Sequence, residues 1–85
     1  MTTEIEIKNQ HVSGDEEHVS FKIVFGTQSR NVVISRTALV LLDGIQDNHL
    51  HWIFEANRER IALAAFEKSR LTPSDSTINL SSDDF

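Results

Sequence analysis

The 85-residue chain contains no cysteine. A chain without cysteine forms no disulfide bond and no thiolate metal site, and it has no thiol nucleophile. Packing alone must hold its fold, either within one chain or against a partner chain. This length supports one modest hydrophobic core and not two, so we expect a single domain over residues 1–85.

Long apolar runs are also missing. No segment approaches the roughly 20 consecutive apolar residues that a membrane-spanning helix needs. The first ten residues, MTTEIEIKNQ, lack the basic region and apolar run of a secretory signal. We therefore expect a cytoplasmic protein that does not enter the membrane.

Positive charge is scarce. The chain has 8 Lys and Arg residues against 13 Asp and Glu residues, for a net charge of -5. The acidic residues concentrate in residues 1–20 and 71–85, which works against binding to a phosphate backbone. The middle of the chain is weakly basic, so a nucleic-acid-associated regulator stays as an alternative hypothesis. Its contact residues would be Arg58, Arg60, Lys68 and Arg70.

The patterns that usually carry enzymatic chemistry are absent. The three glycines stand alone at positions 14, 26 and 44, so no glycine-rich phosphate loop exists. The serines form neither a G-x-S-x-G elbow nor a Ser-x-x-Lys pair. The acidic clusters SGDEEH and SSDDF lie in polar sequence that would not raise a carboxyl pKa. We expect no enzyme, no catalytic residue and no cofactor.

One pair of histidines hints at a metal ion. His49 and His51 form an H-x-H sequence. On a helix, residues two apart point about 200° away from each other, so the two rings cannot share one ion. We expect no metal site.

The sequence does contain the material of a folded core, with 39% apolar residues that include five Phe and Trp52. Ile5 and Ile7 alternate with charged residues in a first short strand. The segments 17–25 and 30–35 alternate in the same way around Gly26, which predicts a β-hairpin. Ile78 and Leu80 predict a last short strand.

Helical periodicity begins at Ser35, a favourable N-cap for a helix of about two turns over residues 36–43 that ends at Gly44. Asp47 or Asn48 could cap a second, long helix that runs from His49 to about Ser69. The predicted order is β-β-β-α-α-β. We therefore expect an α+β fold: a small, mostly antiparallel sheet with the short helix and the long helix packed on one face.

The long helix carries two apolar faces. One stripe, about 120° wide, should cover the sheet; it comprises Leu50, Ile53, Phe54, Asn57, Ile61, Ala64 and Ala65. Nearly opposite lies a second apolar group, here called the second apolar face, made of Trp52, Ala56, Leu63 and Phe66. Either the short helix or a second copy of the protein should cover it, because exposure would leave a sticky patch. A homodimer is the expected assembly, with a further protein partner still to be identified.

Asn57 is the polar exception in the sheet-facing stripe. A buried amide that finds no partner costs about 1 to 3 kcal/mol. We expect Asn57 to act as a structural latch that bonds backbone groups at a strand end, in the IQDN segment at 45–48, or in the terminal SSDDF. An enzyme assembled across a dimer around Asn57, Glu59 and the histidines is a further, weaker alternative.

Three segments in a fixed order point to a known family. They are VISRTALVLLDG, FEANRERIALAAFEK and INLSSDDF, and their matching positions are Ile34, Ser35, Ala38, Leu39, Phe54, Asn57, Arg58, Ile61, Asp84 and Phe85. Over roughly residues 5–85 the chain resembles the family of short bacterial proteins called domain of unknown function 1488. The resemblance implies a compact bacterial α+β domain and implies no activity. Our leading hypothesis is a small self-associating interaction or regulatory module.

Overall fold

The chain forms four strands and three α-helices in a computed structural model that describes residues 4–15, 17–43, 49–73 and 75–85. The elements are β1 (Ile5–Val12), β2 (His18–Phe25), β3 (Gln28–Ser35), α1 (Arg36–Asp43), α2 (Leu50–Ala56), α3 (Arg58–Ser69), β4 (Ile78–Leu80) and a closing 3₁₀ turn (Ser82–Asp84). The predicted α+β class is confirmed, in the order β-β-β-α-α-α-β.

The strands lie in the order β1-β2-β3-β4 across one sheet. β1 pairs with β2 and β2 with β3 in antiparallel fashion, whereas β4 runs parallel to β3. Parallel pairing requires a crossover, and the three helices provide it. The last strand therefore returns beside the middle of the chain and leaves β1 and β4 as the two edges.

The predicted β2–β3 hairpin is present, but its turn is shorter than predicted, because β3 begins at Gln28 and not at residue 30. Phe25 pairs with Gln28 across Gly26 and Thr27. Gly26 has a φ of 59°, the left-handed value that hairpin turns of the primed types need at this position and that glycine adopts without steric cost.

Strand β1 is longer than the sequence pattern indicates and is irregular. It continues to Val12, through residues that the alternation pattern assigns to a loop. Its pairing with β2 shifts between Lys8 and His11, where β1 has one extra residue, and Asn9 has a φ of 57°. This is a β-bulge, which bends the strand and interrupts the period of two on which the sequence prediction depended.

The predicted long helix from His49 to Ser69 is two helices in the structure. α2 ends at Ala56 and α3 begins at Arg58, with Asn57 between them at φ -117° and ψ 20°. These angles lie outside the helical region, so the helix axis is interrupted there. The apolar pattern continues through the junction, which is why periodicity alone did not reveal the break.

The helix starts agree in part with their predicted caps. Ser35 accepts a hydrogen bond from the Ala38 amide at 3.2 Å and so caps α1 as expected. Gly44, Asp47 and Asn48, to which the sequence assigned the other caps, lie outside the described residues. The residue before α2 is His49, in an extended conformation.

The core lies between the helices and one face of the sheet. Val19, Phe21 and Ile23 of β2 are buried and Phe25 is half-buried. Phe21 contacts Phe54 edge to face with ring centres 5.0 Å apart. The fully buried large side chains are Phe54, Ile23, Ile34, Leu39, Ile53, Ile61, Ile78, Val19 and Val32. No described helix has the length and apolar composition needed to cross a bilayer.

Candidate functional site

A groove of about 390 Å³ runs between the edge strand β1 and helix α3. Its lining residues come from the strand and the first half of the helix: Ile5, Ile7, Arg58, Glu59, Ala62 and Leu63. Leu63 is 58% exposed and stands at the outer rim. The groove is therefore apolar, with charge supplied by the first turn of α3.

The backbone of Ile7 points outward into this region. Phe25 closes the hairpin turn, so its amide and carbonyl are directed at β3. Hydrogen-bonding direction alternates along an antiparallel strand, so Ile23 is directed at β3 as well. Ile7 lies opposite Ile23 and therefore presents its amide and carbonyl at the free edge of the sheet.

Arg58 covers that free edge. Its Nη2 donates to the Ile7 carbonyl at 2.9 Å, while its Nη1 donates to Gln10 Oε1 at 2.7 Å and lies 3.2 Å from Glu55 Oε1. Gln10 also donates to Glu55. This hydrogen bond and the nearby guanidinium of Arg58 hold the pKa of Glu55 below its ordinary value, against a smaller opposing effect of burial. The cluster joins β1 to the junction between α2 and α3.

Lys68 covers the opposite edge of the sheet, strand β4. Val33 faces β4 and, in a parallel ladder, bonds the two residues that flank its partner Asn79. The Asn79 carbonyl therefore points outward, and Lys68 Nζ donates to it and lies 2.9 Å from Asp84 Oδ2. Exposed edge strands invite pairing with other chains, and basic side chains are a common means of preventing it.

Asp84 connects the end of the chain to helix α3. Burial by itself would raise the pKa of this carboxyl, but the hydrogen bond from the Ser81 amide and the ion pair with Lys68 outweigh that effect and hold the pKa below its usual value. Ser81 and Asp84 form a capping box over the 3₁₀ turn. The carboxylate thus accepts hydrogen bonds from two residues, Ser81 and Lys68, and belongs to the structure of the fold.

The four basic residues of the nucleic-acid hypothesis do not form one patch. Arg58 and Lys68 donate to backbone carbonyls on opposite edges of the sheet. Arg70 lies over the ring of Phe66, with its guanidinium carbon 5.1 Å from the ring centre. Arg60 is exposed on the outer side of α3. Three of these four cations therefore have partners within the fold.

The second apolar face is divided by the break at Asn57, with Trp52 and Ala56 on α2 and Leu63 and Phe66 on α3. Trp52 is 65% exposed, Leu63 is 58% exposed and Ala56 is also exposed. Phe66 is half-buried, because its ring contacts Phe25 edge to face at 5.1 Å. Helix α1 leaves Trp52 and Leu63 uncovered, and strand β2 covers Phe66.

The side chain of Asn57 bonds the last turn of helix α2 and not a strand end. Its Nδ2 donates to the Ile53 carbonyl at 3.0 Å, and its backbone amide donates to the same carbonyl at 3.1 Å. The Asn57 carbonyl accepts the Ile61 amide at 3.0 Å and so starts α3. The expected partners in SSDDF are not used, and residues 45–48 lie outside the described part of the chain.

His11 and His49 are exposed, and His18 on β2 is half-buried. His51 is exposed and contacts the ring of Trp52 at 5.9 Å, and both His11 and His51 border a small cavity of about 30 Å³. Within the described ranges, no three His, Asp or Glu side chains are placed to hold one metal ion. Glu59 lies at the groove and Asn57 at the helix junction, so the groups of the dimer-enzyme hypothesis are not brought together in one chain.

Sequence reasoning missed two polar residues with structural importance. Gln10 joins Arg58 to Glu55, as described above. Arg30 on β3 donates to backbone carbonyls beyond the end of α3, at 2.8 Å to Pro73 and 3.1 Å to Ser76. Both contacts join residues more than 40 positions apart, so no local pattern could indicate them.

Comparisons of the chain with protein-family models, with curated proteins and with solved structures found no match.

Proposed function

We propose that this protein is a small, non-enzymatic interaction module of the bacterial cytosol that associates with a second copy of itself through the outer side of its helices. The observation that carries the proposal is the exposure of Trp52 and Leu63, two large apolar side chains on helices whose other sides are buried. The bacterial and cytosolic setting rests on the resemblance and on the sequence composition.

Energetics support association at these positions. Full burial of a large apolar side chain gains about 1.5 to 3 kcal/mol. A domain of 85 residues without a disulfide has a small core, so two such residues in water represent a substantial unused gain. Covering Trp52 and Leu63 in a dimer would recover part of it.

The chemistry of the groove also favours binding over catalysis. Its floor is apolar, and the guanidinium of Arg58 already contacts Ile7, Gln10 and Glu55. A catalytic site needs polar groups that converge on the reacting atoms. Here the polar groups are directed at one another.

Sedimentation velocity of the purified protein between 5 and about 300 μM tests this proposal; dimers of small interface typically dissociate in the micromolar range. We expect the average mass to rise from monomer to dimer over this range. The Leu63→Glu variant should remain monomeric, because a carboxylate in an apolar contact must be desolvated.

Leu71→Glu is the matched control, since Leu71 is 86% exposed and follows the end of α3. This variant should associate like the wild type. A wild-type protein that remains monomeric over the whole range would refute the proposal, as would equal association of the two glutamate variants.

A further inference from the structure

The outer stripe of helix α3, defined as Arg60, Leu63 and Glu67, faces away from the sheet. These three residues are exposed, whereas Ile61 and Ala65 on the other side of the helix are fully buried. At 100° per residue the three lie within about 60° of one another. Leu63 therefore has a basic residue one turn before it and an acidic residue one turn after it.

A second pair of charges borders the outer stripe, and in this pair the acidic residue comes first along the helix and the basic residue second. Glu59 is exposed in the first turn of α3, and Arg70 is exposed at its C-cap. The other two cations of this region, Arg58 and Lys68, donate to carbonyls at the two sheet edges, so their charges are directed away from the stripe. Around Leu63 the helix thus presents the acids Glu59 and Glu67 and the base Arg60, while Arg70 lies over the ring of Phe66.

We infer that a second copy of this chain docks on the outer stripe with its own α3 antiparallel, about a two-fold axis at Leu63; this inference rests on the proposed self-association. A two-fold interface uses the same patch on both copies, so the patch must complement itself. Reversing the helix brings Arg60 of one copy level with Glu67 of the other, to within about 1.5 Å along the axis.

Charge also supports the antiparallel orientation. The two-fold axis repeats every contact, so the pair of Arg60 with Glu67 forms twice, once from each copy. Like charges placed together at an interface are unfavourable, and charge is therefore a determinant of orientation and specificity. The outer stripe is therefore complementary to itself in the antiparallel direction.

The size of this contact predicts a weak, salt-sensitive dimer. Two helices of 12 residues each bury less surface than the roughly 1,600 Å² of a standard stable interface. Ion pairs at the rim are screened by salt over about 8 to 10 Å at physiological ionic strength. Association should therefore weaken measurably when the salt concentration is raised.

Charge reversal with mixing tests the inference. Arg60→Glu and Glu67→Arg are prepared as separate full-length variants and studied by sedimentation velocity, alone and as an equimolar mixture. Each variant alone brings like charges together and should dimerise at least about tenfold more weakly than wild type. The mixture should dimerise again, because each cross-copy pair then consists of one acid and one base.

Arg36→Glu is the control, an exposed charge reversal at the start of α1 that should leave association unchanged. Circular dichroism of every variant checks that it is folded. Renewed dimerisation in the mixture is independent evidence that both charge-reversal variants are folded. A wild-type dimer that both single reversals leave intact would overturn this interface while self-association remains. Single variants that weaken without recovery on mixing would overturn it too.

Discussion

At the scale of single residues, Asn57 explains the shape of the helical layer. Its side-chain Nδ2 and its backbone amide both donate to the Ile53 carbonyl in the last turn of α2. Its own carbonyl accepts the Ile61 amide and so begins α3. Asparagine side chains often compete with the helix for backbone partners in this way. The residue therefore ends one helix and begins the next.

Replacing Asn57 with Ala should lower the free energy of unfolding by about 1 kcal/mol, the usual net value of one such hydrogen bond. Urea denaturation followed by circular dichroism measures it. Asn79→Ala is the control, because Asn79 is exposed and its side-chain bond to the Thr77 carbonyl is long, at 3.4 Å. Equal losses in the two variants would mean that the Asn57 amide has no special part in the junction.

At the scale of elements, α3 does more than cover the sheet. Arg58 near its start and Lys68 near its end reach opposite edges of the sheet and occupy outward carbonyls of Ile7 and Asn79. The bulge at Asn9 bends the same edge that Arg58 covers. A helix that buries one side of itself thus also limits strand pairing between chains, which leaves its outer side as the surface for specific contacts.

Removing the Arg58 side chain from the β1 edge should therefore have two effects. Arg58→Ala should reduce the free energy of unfolding by about 1 kcal/mol, since the ion pair is partly solvated and the bond to Ile7 is the principal loss. It should also increase light scattering on prolonged incubation at 37 °C, because the edge carbonyl becomes available to other chains.

The control for the β1 edge is Arg36→Ala, which removes an exposed arginine from α1. Stability and scattering should both stay near the wild-type values. If Arg58→Ala matched this control in both measurements, the contacts of Arg58 would have no protective effect.

At the scale of the whole molecule, the C-terminal segment closes the fold. β4 adds the fully buried Ile78 to the sheet beside β3, and the following turn is held to α3 by the ion pair of Asp84 with Lys68. Contacts between residues far apart in sequence are formed only once the helices have brought the chain back.

Acid should weaken this closure in a defined direction. The folded pKa of Asp84 lies below the ordinary value of 3.8, so its carboxylate stabilises the fold above that pH, and the contribution is lost as the pH falls through the folded pKa. The wild type should exceed Asp84→Asn by about 1 kcal/mol at pH 7. Urea denaturation at a series of pH values should show this difference shrinking below about pH 4.

Asp83→Asn serves as the comparison, because Asp83 is the exposed neighbour in the same turn. Its unfolding free energy should stay close to the wild-type value at pH 7. If the difference in unfolding free energy between wild type and Asp84→Asn stayed constant down to pH 2, the ionised Asp84 carboxylate would not be the group that stabilises the fold.

The sequence by itself determined the elements that repeat with a local period. Alternation located the hairpin, Ser35 marked the start of α1, and the apolar stripe of the later helices, from Leu50 to Ala65, is the face that the structure buries or half-buries. These predictions succeed because side-chain direction follows from a period of two or 3.6 residues within one segment. The same reasoning correctly identified Leu63 as lying off the core face.

Only the tertiary structure decided the break at Asn57, the bulge in β1, the parallel placement of β4 and the partners of Arg30, Arg58 and Lys68. Periodicity could not indicate the break, because a one-residue junction leaves the apolar pattern almost in phase. The long-range partners depend on which carbonyls point outward at the sheet edges. That direction is set by strand pairing across the whole sheet, which no local pattern of residues contains.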